Sequence, residues 1–322
     1  MQYREIPYVK MPVSRLIIGS SFKKMNAGEE VNGLLDELAA TGVNIIDTAR
    51  VYGRSEEMLG NWMESRGNRD KLVILSKCGH PLPDGTRRVN PQEMLADFKT
   101  STEMLKTGYI DIYILHRDDP EMPVGPIVET FNDLHAAGKI GAFGGSNWTH
   151  QRIEEANEYA YKHDMIPFTV SSPNFGLANQ VQDPWGGGCV TLAGPAEKEA
   201  RKWYIANQMP VISYSGLGHG LFTGRLKSDE FDKADTVLDQ FGMLGYGYPE
   251  NFERLKRAEE LAEKKGVTVP EIALAYLFTH PMNAFAVVST TSPERMRMNI
   301  GAMDIELTQE ERDYLDLNQD GE

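Results

Sequence analysis

Only two cysteines, Cys78 and Cys189, occur in this chain of 322 residues, so no disulfide framework can hold it together. No stretch approaches the roughly 20 consecutive apolar residues that span a bilayer. The opening residues Met1–Glu5 lack the apolar run of a secretion signal. A cytoplasmic location with no membrane partner is therefore expected. Basic residues are also in short supply: 33 Lys and Arg stand against 47 Asp and Glu, a formal charge of −14. Nucleic acids and anionic membranes both require a surplus of Lys and Arg, so neither is expected as a partner. A small anionic ligand can still bind such a chain, on backbone amides or a few placed bases. The G-x-G-x-x-G fingerprint and the P-loop are both missing. So are internal repeats, low-complexity tracts and any linker that would divide the chain, and a single domain over residues 1–322 is expected.

What is present is a strand-then-helix rhythm. Eight short apolar runs read as strands: Leu16–Gly19, Asn44–Thr48, Leu72–Ser76, Ile110–Leu115, Gly141–Gly145, Phe168–Ser172, Val211–Tyr214 and Ala286–Ser289. Several are rich in Ile and Val, as strands buried on both faces are. Between them lie amphipathic stretches at helical spacing, such as Ile127, Phe131 and Leu134, or Leu255, Ala258, Leu261 and Ala262. Asn90 before Pro91 and Ser292 before Pro293 read as helix caps, with proline at the first helical position. Eight such units predict an α/β fold, a (β/α)8 TIM barrel. Tyr3–Arg15 reads as a small hairpin closing the barrel bottom. Two long insertions, 176–195 and 216–249, are expected as loops over the C-terminal mouth, and Thr308–Leu317 as a terminal helix with a Thr308/Glu311 capping box.

Active sites of such barrels form at the C-terminal ends of the strands. Asp47 ends the second predicted strand, with Tyr52 in the loop after it; Lys77 ends the third and His116 the fourth. Together they make chemical sense. Reduction of a carbonyl by hydride transfer needs a proton for the developing alkoxide, and a phenol supplies it if its pKa is brought down from about 10. A lysine ammonium beside the phenol is expected to lower it. An aspartate satisfies the otherwise costly buried cation, and an imidazole can hydrogen-bond the carbonyl oxygen. Each residue alone would be an ordinary structural side chain; the four at consecutive strand ends are not. Cys78 reads as a small buried packing residue. Asp118, Asp119 and Glu121 read as a solvated loop, because no second histidine stands at ligand spacing, and no metal is expected.

The segment Gly42-Val43-Asn44-Ile45-Ile46-Asp47-Thr48-Ala49, followed by Tyr52-Gly53, resembles the first signature of the aldo-keto reductase family. Ser76-Lys77-Cys78 and Leu115-His116-Arg117 resemble its two other catalytic segments, and the likeness runs over nearly the whole chain. It implies a reductase of aldehydes or ketones, polar or sugar-like carbonyls among them, with Asp47, Tyr52, Lys77 and His116 as catalytic tetrad and Tyr52 as proton donor. It implies NADPH as cofactor, with NADH as the alternative. Gly19, Ser20 and Asp47 fall at implied cofactor positions. Ser146 and Asn147 resemble the pair that holds the nicotinamide carboxamide, while Ser172 stands where a glutamine is common. Tyr214 resembles the aromatic that stacks on the nicotinamide, with Ser215, Leu217 and Gly218 following it. Arg295 and Asn299 fit the adenosine end, where the arginine would read a 2′-phosphate; Ser289 replaces a lysine often found there. Phe22, Tyr52, His116 and Trp148 are the implied substrate residues. Two alternatives stand beside this reading: a regulatory subunit like those of potassium channels, and an alcohol dehydrogenase running the same chemistry in reverse.

Overall fold

The computed structural model describes residues 1–317. Two short strands, β1 (Tyr3–Arg4) and β2 (Val13–Ser14), pair antiparallel as the predicted hairpin. Eight strands then follow in the predicted order: β3 (Leu16–Gly19), β4 (Ile45–Asp47), β5 (Val73–Cys78), β6 (Ile110–Leu115), β7 (Ile140–Ser146), β8 (Val170–Ser172), β9 (Val211–Ser213) and β10 (Ala284–Val288). They form a closed parallel barrel in the order β10-β3-β4-β5-β6-β7-β8-β9, a (β/α)8 TIM barrel. Contacts cluster in two compact units. One comprises Gln2–Ser172 with Ser289–Pro293; the other comprises Pro173–Val288 with the chain from Glu294 onward.

In the first unit the strands are apolar on both faces, and Ile17, Ile45, Ile74, Ile112 and Ile114 are fully buried. This is the composition a sheet sealed on both sides demands. Leu75 pairs with Asp47 and with Ile112, and Cys78 with Leu115, so β5 and β6 end together and run three residues past the end of β4 in register. β5 runs one to two residues further than the sequence suggested, and Lys77 is its penultimate residue. The hairpin sits at the other end of β4. Ser14 N donates to Asn44 Oδ1 at 2.9 Å and Asn44 Nδ2 to the Pro12 carbonyl at 2.8 Å, just before the strand begins. Asn90 caps the helix Pro91–Met104 by accepting from Glu93 N, with Pro91 at the first position. Thr149 does the same for His150–Lys162.

In the second unit, helix Pro249–Lys265 buries Leu255, Ala258, Leu261 and Ala262 along one stripe, as their spacing predicts. The 216–249 insertion is more ordered than a loop. It holds short 3-10 turns at Gly218–Gly220 and Phe231–Thr236, and a helix Gln240–Tyr246 whose cap, Asp239, accepts from Phe241 N and Gly242 N. The terminal helix spans Gln309–Leu315 and keeps its predicted capping box. No helix among the described residues is long and apolar enough to cross a membrane.

Candidate active site

Strand register places Asp47 opposite Leu75, two residues before Lys77, and Lys77 opposite Ile114, two before His116, a stagger that keeps the three residues at the same end of their strands. Asp47 closes β4, Lys77 sits near the end of β5, and His116 follows β6, its amide donating to the Cys78 carbonyl at 2.7 Å. Tyr52 needs a loop to bring it back. The Asn26 carbonyl receives Arg54 N at 3.0 Å, and Gly53 turns there with φ of 54°. A Cβ on Gly53 would lie 2.5 Å from the Asn26 oxygen, so the close approach requires glycine. The loop is also tied to its strands. Arg50 N donates to the Lys77 carbonyl at 3.1 Å, Ser55 Oγ donates to Ser20 Oγ at 2.6 Å, and Ser76 Oγ donates to the buried Glu56 carboxylate at 2.6 Å. Arg50 closes this set by pairing with Glu56 at 3.3 Å.

The four side chains meet. Lys77 Nζ donates to Asp47 Oδ1, to the Thr48 carbonyl at 3.0 Å and to the Tyr52 hydroxyl at 3.5 Å. The rings of Tyr52 and His116 contact edge to face, 5.6 Å between centroids. Burial by itself would lower the Lys77 pKa, but the Asp47 carboxylate and the Tyr52 oxygen more than offset this, so the ammonium is held. His116 is pushed well below the ordinary imidazole range by burial, with the charges of Lys77 and Arg117 acting the same way; its ring is neutral. Its Nδ1 is buried and has no hydrogen-bond partner. Tyr52 departs from expectation. Burial raises its pKa above 10, and the lowering by Lys77 does not overcome it. The sequence shows the lysine beside the phenol but not the desolvation that outweighs it.

Several residues near this group carried no distinctive sequence signal. Glu56 is an acid buried at the start of a helix, and its raised pKa comes first from burial. His80 places its ring 4.9 Å from that of His116. Only adjacency to the tetrad residues in the chain could have singled out Arg50, His80 and Arg117.

Among the implied cofactor residues of the first unit, Gly19 and Ser20 are buried at the end of β3. Ser146 Oγ donates to the Ser172 carbonyl at 2.7 Å, and Asn147 Nδ2 to Ser146 Oγ at 3.1 Å and to the His116 carbonyl at 3.2 Å. Asn147 adopts a left-handed φ of 61°, a conformation asparagine tolerates better than most residues. Ser289 is exposed just after β10. In the second unit, Tyr214 and Ser215 are half-buried after β9, Leu217 leads into the Gly218–Gly220 turn, and Trp185 contacts the Tyr214 ring edge-on at 5.7 Å. On helix Pro293–Gly301, Arg295 is exposed and Asn299 is buried. Of the implied substrate residues, Phe22 is half-buried. Trp148 is fully enclosed, its ring 5.1 Å from Phe168 and its Nε1 donating to the Arg117 carbonyl at 3.2 Å. Asp118 pairs with Arg152, and Asp119 and Glu121 with Arg87.

A parallel eight-stranded barrel with an acid, an ammonium, a phenol and a neutral imidazole gathered at its strand ends defines a barrel oxidoreductase acting on carbonyls. The chain matches the aldo/keto reductase family over residues 15–318 and belongs to it. It is an NAD(P)H-dependent carbonyl oxidoreductase of that family, acting on small molecules. It is 26% identical to an aldo-keto reductase of Strobilurus tenacellus, covering 95% of this chain and 86% of that protein. It is 28% identical to a norsolorinic acid reductase of Emericella nidulans, over 88% of this chain and 70% of that one. With the NADP(+) aryl-alcohol dehydrogenase of Phanerodontia chrysosporium it shares 28% identity, over 88% and 74% of the two chains.

Proposed function

We propose that this protein reduces an aldehyde or ketone to the alcohol with NADPH, Tyr52 giving the proton to the carbonyl oxygen. The observation that carries this reading is Lys77 Nζ, bonded to Asp47 on one side and to the Tyr52 hydroxyl on the other. His116, whose ring contacts that of Tyr52, carries a buried Nδ1 with no hydrogen-bond partner, of the kind a bound molecule satisfies. Ser146, Asn147 and Ser172 form a buried polar set bonded to the His116 segment, which suits a carboxamide. These are the residues that would hold the nicotinamide, together with Gly19, Ser20 and Asp47 of the same unit. Arg295 and Asn299, on one helix, are proposed for the adenosine end. When bound, the reduced nicotinamide supplies the hydride.

The rest of the chemistry belongs to the chain. A phenol whose pKa burial has raised stays protonated through neutral pH, the form a proton donor needs. As charge develops on the carbonyl oxygen, the neutral His116 donates to it and orients it. Tyr52 then releases its proton, and the retained Lys77 ammonium stabilises the phenolate, its own charge balanced by Asp47. The same raised pKa weighs against the reverse reaction, which must begin from the phenolate.

The test is Tyr52→Phe, followed by nicotinamide absorbance over a panel of carbonyls and by fluorescence quenching for cofactor binding. Turnover is expected to fall by about 10²–10⁴-fold, the worth of a positioned acid, with cofactor affinity kept. A variant retaining more than about a tenth of wild-type kcat removes Tyr52 from the donor role.

A further inference from the structure

The arginines nearest the candidate group in sequence pair with carboxylates: Arg50 with Glu56, Arg54 with Glu57 and Arg88 with Asp97. Arg117 does not. The two acids that follow it in sequence are taken by others, Asp118 by Arg152 at 3.3 Å and Asp119 by Arg87 at 2.6 Å. The recorded bond of its guanidinium is to the neighbouring His116 carbonyl, from Nη1 at 3.1 Å, and no carboxylate partners it among the described residues. Yet its backbone is held firmly. His116 N is bound to the Cys78 carbonyl, Asn147 Nδ2 to the His116 carbonyl, and Trp148 Nε1 to the Arg117 carbonyl.

The guanidinium therefore springs from a fixed point immediately after His116. Its bond to the His116 carbonyl holds the charge beside the candidate group, where it adds to burial in lowering the His80 and His116 imidazoles. Lys77 is balanced by Asp47, and Arg88, which also acts on His80, by Glu93 and Asp97, whereas no described carboxylate balances Arg117 in a protein whose formal charge is −14.

We propose that Arg117 is a specificity-determining residue that binds an anionic group, a carboxylate or a phosphate, carried by the carbonyl substrate. The inference rests on the reductase reading above and narrows its substrate class. A guanidinium presents parallel N–H donors that match either oxyanion bidentately, and in a half-buried setting it does so with less competition from water. It also offsets locally the repulsion that a strongly acidic protein exerts on an anion.

Two matched pairs of substrates test it: para-carboxybenzaldehyde against its methyl ester, and glyceraldehyde phosphate against glyceraldehyde. For the wild-type enzyme, kcat/KM should favour the anionic member of at least one pair by about ten- to a hundredfold, the worth of one or two charge-assisted bonds. Which pair shows it separates a carboxylate site from a phosphate site. In Arg117→Gln the preference should fall to near unity, while Arg117→Lys, which keeps the charge but loses the fork, should retain part of it. A wild type that treats both members of each pair alike overturns the proposal, as does an Arg117→Gln enzyme that keeps the wild-type ratio. If NADPH binds but none of the four compounds is reduced, the proposal is overturned, while the reductase reading is judged separately by the wider carbonyl panel with Tyr52→Phe.

Discussion

Lys77 is a cation almost fully enclosed, and without Asp47 it would be the most costly side chain in its unit. The ion pair explains why an ammonium can persist there, and the phenol reaches it at hydrogen-bond limit. The outcome for Tyr52 turns on which influence is larger. A neighbouring cation favours the phenolate, desolvation favours the phenol, and desolvation wins. Arg295 poses a different question of residue chemistry. It is exposed on its helix, and Ser289 brings no second cation. One guanidinium–phosphate contact is worth about 1.5–3 kcal/mol, which predicts roughly a ten- to hundredfold preference for NADPH over NADH. Titrating both cofactors by fluorescence quenching should show that preference in the wild type and its collapse in Arg295→Ala. Equal wild-type affinities would end the argument, and a preference surviving the substitution would assign the phosphate to another residue.

At the scale of elements, neighbouring strands hold the candidate group by backbone register, and one loop is laid back over them by hydrogen bonds. The run from Ser20 through Ser55 to Thr48 bridges β3 to that loop, and Glu56 bridges it to β5. Strand β7 shows how tightly the strands approach. Gly144 pairs with Val170 of β8, and a Cβ there would lie 1.9 Å from the Val170 carbonyl oxygen. Nothing flexible can give way, because the obstruction is backbone. Gly144→Ala is therefore expected to destabilise by about 1–3 kcal/mol, as overpacking does, and to disturb the Ser146–Asn147 segment two residues on. Urea unfolding reads the first effect and cofactor titration the second. A substitution that leaves the unfolding midpoint in place would show that the strands can separate more cheaply than this contact implies.

For the molecule as a whole, acid is the informative stress. His280 is half-buried between Phe175 and Tyr276, and its Nδ1 accepts from Met282 N at 3.3 Å. Burial first, then the charges of Arg201 and Arg312, lower its pKa to about 3. In the unfolded chain the imidazole returns to about 6.5. Above that value neither state is protonated and the neutral ring costs nothing. As pH falls from 6.5 toward 3 the unfolded chain takes up a proton that the native one refuses, so stability is lost at up to about 1.4 kcal/mol per pH unit. Between pH 7 and pH 5 this amounts to about 2 kcal/mol. Comparing urea unfolding at those two pH values in wild type and His280→Gln should show that much less acid sensitivity in the variant. Identical pH dependence in the two proteins would mean that other groups carry it.

Strand order, the hairpin, the caps at Asn90 and Thr308 and the four residues near the strand ends were readable in the chain, because each rests on local pattern. Apolar runs and helical stripes set the elements, and a parallel barrel brings whatever ends β4, β5 and β6 to the same end of the strands. The signature residues around Asp47, Lys77 and His116 were legible for the same reason. Quantities that depend on what surrounds a side chain were not. The insertion at 216–249, rich in glycine and acids, gives little helical periodicity, and its short turns and helix are stabilised by caps and by packing of residues far apart in sequence. The direction of the Tyr52 pKa depends on how completely water is excluded from the hydroxyl. That Arg117 lacks a carboxylate depends on Arg152 and Arg87 having claimed the two acids beside it. Desolvation and partner choice are sums over neighbours in space, and only the folded chain brings those neighbours together.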